Sequence, residues 1–272
     1  MWMPQSWKQG QVRLILKNDK PPTIGDAQHI TIHNAHHNMH SHMVAWWLRD
    51  SMTTLCLASQ CVFIANRHIR NNIVLVNSLI DANTDGLIMM LDWAKAYDSV
   101  DHEHLENVLF CMGCDGIGLQ RLMSTAKKGF TLRVIGSQPV SEPFNRERGV
   151  SQGCPLAPLL FALAIEPLLW MLKQTMTAMQ INRIHVKQHT THALVAMCAD
   201  DTTIFAGGLD DITHAKKAIQ CHMDASVLFV NHSFVLTAHM SWSECCVWFE
   251  SKSEQPHTCI CNGIEQTAML HK

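Results

Sequence analysis

The sequence predicts an α+β protein whose strands carry acidic side chains to one edge of a sheet. Two observations predict it. Leu87-Ile88-Met89-Met90-Leu91 is an apolar run that ends in Asp92. Residues 195–198 and 202–205 are two further apolar runs, with Asp200-Asp201 at the turn between them. Segments with apolar residues at three- and four-residue spacing separate these strands and read as helices. A bare Asp-Asp pair at a tight turn also suits a solvated hairpin tip. The acid at the end of another strand favours a different use, because carboxylates gathered at one sheet edge make a hard, oxygen-only site suited to Mg²⁺. Two metals held there would activate an attacking hydroxyl and stabilise a departing pyrophosphate.

The 272 residues, 47% of them hydrophobic, allow one large domain or two small ones. There are 18 His, 11 Cys and 8 Trp against a single Tyr. A net charge of −2 and a pI near 6.8 exclude a bulk polyanion binder and argue against tight nucleic-acid binding. The cysteines are scattered and odd in number, and no stretch reads as a secretory leader, which suits free thiols in a reducing compartment. The longest apolar run, 154–172, contains Glu166, Pro155, Pro158 and Pro167 and reads as a buried helix rather than a bilayer span.

In chain order, residues 9–17 read as a strand ending at Lys17, and Pro21-Pro22 forbid helix in the loop that follows. His29, His33, His36, His37 and His40 have helical spacing and would share one side. That side is either a polar, partly exposed helix start or a metal site that lacks an acidic or cysteine partner. Residues 44–57 suit a core helix with Trp46 and Trp47 as bulk. Residues 60–67 form a connection, and 68–81 a helix with Ile69, Ile73, Val76, Leu79 and Ile80 on one face. A turn at 83–86 precedes the first acid-bearing strand. Asp101 and Glu103 open a helix that buries Leu105, Val108, Leu109 and Met112 and ends at Gly113. A short helix over 119–127 and a hairpin over 131–144 come next. Gly149 and Gly153 flank a polar loop at the mouth of the long apolar helix, where glycine lets backbone approach a substrate closely. Gly207-Gly208 leads to a helix over 211–225, and 227–230 suits a strand. The last thirty residues show no pattern; Cys245, Cys246, His257, Cys259 and Cys261 lack the spacing of a zinc knuckle.

Three motifs now stand in order: Leu91-Asp92-Trp93-Ala94-Lys95-Ala96-Tyr97-Asp98, Arg148-Gly149-Val150-Ser151-Gln152-Gly153-Cys154-Pro155-Leu156-Ala157-Pro158, and Cys198-Ala199-Asp200-Asp201. Over most of 10–240 the chain resembles the reverse transcriptase domain of non-LTR (LINE-like) retrotransposons. The resemblance implies a polymerase palm, an antiparallel sheet backed by helices, over 86–240. It implies a mainly helical fingers region over 1–85, with an insertion at about 113–150. It further implies a thumb that is missing or incomplete and an irregular tail over 241–272. It implies an RNA-directed DNA polymerase that adds dNTPs to a DNA primer on an RNA template, with Mg²⁺ or Mn²⁺ as cofactor and no membrane partner. Such an enzyme works inside the cell, in the nucleus if functional, and the rest of the retroelement protein lies outside this sequence.

By resemblance Asp92 and Asp200 are the principal metal ligands and Asp201 their companion. Tyr97 sits at the aromatic gate against a ribose 2′-hydroxyl. Gln152 and Gly153 match the loop touching template and nucleotide and Lys17 a lysine near the triphosphate; Arg67 and Asn72 match an upstream pattern beginning at Gln60, of which Arg67 is expected to bind substrate. Departures accompany the match. Cys198 stands where Tyr is usual, Gln28-His29 where Arg-Pro is usual, and Val62, Asn66 and Asn71 replace two glycines and an aspartate. Phe234 takes the place of a lysine. Many are Tyr→His or Cys and Arg→His, Gln or Trp changes, each one transition apart, which suggests a truncated, degenerate copy. The alternatives are therefore a catalytically inactive remnant, or a module that binds nucleic acid without chemistry.

Overall fold

The computed structural model describes residues 7, 9–16, 27–81, 87–127, 130–135, 138–139, 142, 144–178, 195–231, 236–239, 247–249, 257–261 and 264–268. Its first elements are β1 (Gln9–Leu16), β2 (Ala27–His33), α1 (Ala35–Leu55), α2 (Ile69–Asp81) and β3 (Leu87–Leu91). Then come α3 (Ala96–Ser99), α4 (His102–Cys111), α5 (Gly116–Lys127), β4 (Phe130–Ile135), β5 (Gln138–Pro139) and β6 (Phe144–Asn145). α6 (Ala157–Ala178) leads to β7 (Val195–Cys198), β8 (Asp201–Ala206) and α7 (Leu209–Ser226). The last four strands are β9 (Leu236–His239), β10 (Val247–Phe249), β11 (His257–Cys261) and β12 (Ile264–Ala268).

Two units share the chain, and each is discontinuous. The first takes Met1–Leu55 and Lys95–Ala164, the second Cys56–Ala94 and Ile165–Lys272. In the first, the sheet runs β2-β1-β4-β5 with β6 also on β4, and β1 and β4 are parallel while the other pairs are antiparallel. α4 forms as its acids and apolar spacing foretell. Asp101 caps it, its carboxylate accepting from the His104 amide at 2.8 Å, and Leu105, Val108 and Leu109 are buried.

The second unit is a seven-stranded antiparallel sheet, β12-β11-β10-β9-β3-β8-β7. α2 lies on it through Leu75 and Val76, which pack with Ile88, Ala196 and Phe205, and α7 contacts β8. The division between the units falls inside α6. That helix is long and apolar enough to cross a membrane over Ala157–Thr175, yet Leu159, Phe161, Leu163, Leu168 and Leu172 are buried within the protein. Apolar residues all round a helix are what such burial requires. Each fully buried leucine stabilises the fold by about 1.5–3 kcal/mol.

Several sequence expectations need correction. Residues 27–33 form a strand rather than a helix start, because pairing with β1 overrides the histidine spacing. His33 and His37 are buried and stacked at 4.1 Å rather than exposed. Trp46 and Trp47 do not fill a core; they are 73% and 54% exposed. Ile69 and Ile73 also face solvent, so α2 buries a face centred on Leu75 and Val76. Residues 227–230 give only a single bridge, Trp93 to Val230. The last thirty residues, irregular by sequence, contribute β10, β11 and β12. The turn at 83–86 and Phe234 lie outside the described residues.

Candidate active site

The register of β3 on β8 pairs Leu91 with Thr202, so Asp92 and Asp201 are the next residues toward one end of the sheet. β7 and β8 close in a two-residue turn, with Cys198 opposite Asp201 and Ala199 in the left-handed region at φ 59°. Asp200 completes that turn. Two adjacent strands and one tight hairpin thus bring all three predicted acids to one sheet end. Asp92 and Asp200 are half-buried and Asp201 is exposed.

Neighbouring side chains fix this arrangement. Asn231 grips Asp92 twice: its amide nitrogen donates to the Asp92 carbonyl at 2.8 Å, and its Nδ2 to Asp92 Oδ2 at 3.1 Å. Trp93 Nε1 donates to Thr202 Oγ1 at 3.1 Å, and Thr202 Oγ1 donates to the Asp200 carbonyl at 3.4 Å. The Trp93 ring meets His222 edge-on at 6.0 Å. Burial pushes the Cys198 thiol up, with the Asp201 and Asp200 carboxylates adding to the effect and a hydrogen bond with Cys61 opposing it. Sequence reasoning missed Asn231, Trp93 and Thr202 as supports. Trp93 lay inside the first motif, Thr202 beside the Asp-Asp pair and Asn231 three residues before Phe234, but nothing local marks their partners.

Carboxylates placed on neighbouring strands match a divalent cation in donor type and in location. Among the described residues, no three His, Cys, Asp or Glu side chains converge tightly enough to hold a metal ion in this conformation.

The other predicted residues divide between the units. Tyr97, in α3, stacks on Phe161 at 4.9 Å with the rings 22° apart. The Tyr97 carbonyl accepts from the Val150 amide at 2.8 Å, and the Val100 carbonyl from the Gly149 amide at 2.7 Å. Gly149 has φ +84°, and a Cβ there would lie 2.7 Å from the Asp98 carbonyl oxygen. The Gln152 carbonyl accepts from the Thr31 amide at 2.7 Å, and its side chain meets Gln28 at 3.2 Å. Gly153 has φ +107°, and a Cβ there would sit 2.4 Å from the Thr31 carbonyl oxygen. The 149–153 loop is therefore sewn to α3 on one side and β2 on the other. His29 pairs with Asp98 at 3.6 Å. Arg67 belongs to the second unit, where its guanidinium donates to the Cys56, Leu57 and Gln60 carbonyls. Lys17 lies outside the described residues.

A family profile described as reverse transcriptase (RNA-dependent DNA polymerase) matches residues 34–236. The chain belongs to the reverse transcriptase family. A transposon TX1 uncharacterized 149 kDa protein of Xenopus laevis is 27% identical over 232 residues, covering 83% of this chain and 16% of that protein. The retrovirus-related Pol polyprotein from type-2 retrotransposable element R2DM of Drosophila melanogaster is 35% identical over 144 residues, or 53% of this chain and 12% of the polyprotein. These relatives place the reverse transcriptase domain with those of non-LTR retrotransposons. The chain spans less than a fifth of their length. Among solved structures, apo telomerase of Candida tropicalis truncated from its C-terminal domain superposes with TM-score 0.59 at 14% identity, over 98% of this chain and 54% of that one. Candida albicans telomerase, in complex with a fragment of telomeric RNA, gives 0.58 at 10%, over 97% and 45%. At such identity the likeness concerns the fold, a polymerase palm of α+β class.

Proposed function

We propose that this domain is the polymerising part of an RNA-directed DNA polymerase, extending a DNA primer 3′-hydroxyl with dNTPs on an RNA template. The observation that carries the reading is the β3–β8 register, which sets Asp92 beside Asp201 with Asp200 in the adjoining turn. Mg²⁺ or Mn²⁺ held by Asp92 and Asp200, with Asp201 as companion, would supply charge to ionise the hydroxyl and neutralise the leaving pyrophosphate. Asn231 keeps the Asp92 carboxylate oriented. Tyr97, braced by Phe161, polices the sugar 2′ position, and Gln152 and Gly153, held against Thr31, serve the template and nucleotide side. Fingers over 1–85 and 113–150 and a palm over 86–240 belong to the same reading, as does a triphosphate-side role for Lys17.

A second reading, the inactive remnant, draws on Gln28. It stands where the resemblance puts an arginine, and its neutral side-chain amide donates to Gln152 Oε1 at 3.2 Å. Primer extension on an RNA template with Mg²⁺ or Mn²⁺, beside an Asp200→Asn control, separates the two. Extension that disappears in the control supports the polymerase; a folded protein that extends nothing supports the remnant.

A further inference from the structure

Residues 56–61 form a strap along the outer side of β7, the terminal strand of the seven-stranded sheet. The Met197 amide donates to the Ser59 carbonyl at 2.9 Å, and the Cys61 amide to the Met197 carbonyl at 3.1 Å. Gln60 and Met197 make a parallel bridge. An edge strand of four residues is thereby paired on both sides. Met197 is fully buried and lies three residues before Asp200.

Three side chains hold the strap in place. The Arg67 guanidinium donates to three of its carbonyls, those of Cys56, Leu57 and Gln60. Asn72 Nδ2 donates to the Met197 carbonyl at 3.2 Å and to Cys61 Sγ at 3.1 Å, touching strap and strand together. Glu166, wholly buried in α6, accepts from the Leu57 amide at 2.6 Å. A carboxylate sunk into apolar surroundings is costly, and it persists where it holds a backbone donor that would otherwise be orphaned. Burial raises its acid toward about 7, with the Leu57 amide and then Arg67 opposing.

We propose that Arg67, Asn72 and Glu166 are positioning residues that seat the strap on β7 and so fix where the Ala199-Asp200 turn stands. This rests on the polymerase reading of Asp200 and changes the part of Arg67: the guanidinium expected at the substrate is spent on backbone carbonyls. Leaving them would forfeit three charge-assisted hydrogen bonds and orphan the carbonyls that accept them.

The test uses the whole chain with Arg67→Met, Arg67→Lys, Asn72→Ala, Glu166→Leu and Glu166→Gln. Three quantities are read: amide exchange at Cys61 and Met197, Mn²⁺ binding by calorimetry, and kcat and KM for dNTP in primer extension. Arg67→Met and Glu166→Leu should speed exchange at both amides and weaken Mn²⁺ binding about tenfold. They should lower kcat by about 10–100-fold, the range for loss of a residue that orients a ligand, and leave the dNTP KM within about twofold. Glu166→Gln retains an acceptor for Leu57 and should restore most of kcat. If Glu166→Leu does not fold, Asn72→Ala gives the same readouts at a half-buried position. A tenfold rise in dNTP KM with kcat unchanged in Arg67→Met would return Arg67 to the triphosphate and overturn the proposal, as would unaltered amide exchange in every variant. A wild-type chain that extends no primer refutes the polymerase reading alone, and amide exchange then decides the seating of the strap.

Discussion

Asn231 and Glu166 are single residues whose work is done on backbone or side chains far along the chain. Asn231→Ala should lower primer extension about 10–100-fold, because the Asp92 carboxylate loses the donor that orients it. A rate measured at saturating dNTP checks this. Glu166 gives a stability prediction with a definite sign. Its acid is raised from 4.5 to about 7, so folding favours the protonated form. Its contribution is complete below about pH 4.5 and is lost as pH rises through 7, on the order of 3 kcal/mol. The buried His33, depressed to about 3 by desolvation and then by His37 and Arg146, works in the opposite sense as pH falls below 6.5. Melting temperatures of wild type and Glu166→Gln compared from pH 5 to 8 isolate the glutamate, and the gap should move in favour of Gln as pH rises. A constant gap would refute the assignment. The three acids were legible because Asp92 follows one apolar strand and Asp200-Asp201 lie at the turn between two more. The partners of Asn231 and Glu166 were not, since they lie 139 and 109 positions away.

At the level of elements, the 149–153 loop and the β7–β8 turn make opposite predictions about glycine. Gly153→Ala should destabilise by about 2–3 kcal/mol, since the methyl meets the Thr31 carbonyl oxygen and the backbone is left-handed. Ala199→Gly should stabilise by about 1 kcal/mol, by relieving a left-handed alanine in the turn that carries Asp200. Chemical denaturation of both variants tests the pair. The loop's glycines were legible beside their polar neighbours, but the surface they approach was not. Thr31 belongs to β2, a strand disguised by histidines at helical spacing. Periodicity misled differently in α2. A spacing of three and four picks out an apolar face without saying that anything covers it, and Ile69 and Ile73 remain in solvent.

Across the whole molecule, a net charge of −2 limits how many phosphates the chain can neutralise. Binding of a primer–template should therefore show a shallow salt dependence, with a log–log slope below about 4 in magnitude at roughly 0.9 per phosphate neutralised. A fluorescence titration at several salt concentrations measures it, and a steep slope would point to a concentrated basic surface that composition conceals. The palm was legible from motif order, while the strands after residue 240 were not. They gain their structure by pairing in series from β9 outward, which no local pattern announces.

The interleaving of the two units has a consequence for synthesis. β3 leaves the ribosome about 110 residues before its partner β8, a delay of roughly 5–20 s at about 5–20 residues per second. Throughout that interval Leu-Ile-Met-Met-Leu is an unpaired, uncharged apolar segment. Nascent chains halted before residue 195 should thus be clients for holdase chaperones, and release from them should coincide with the emergence of the hairpin that bears the acids.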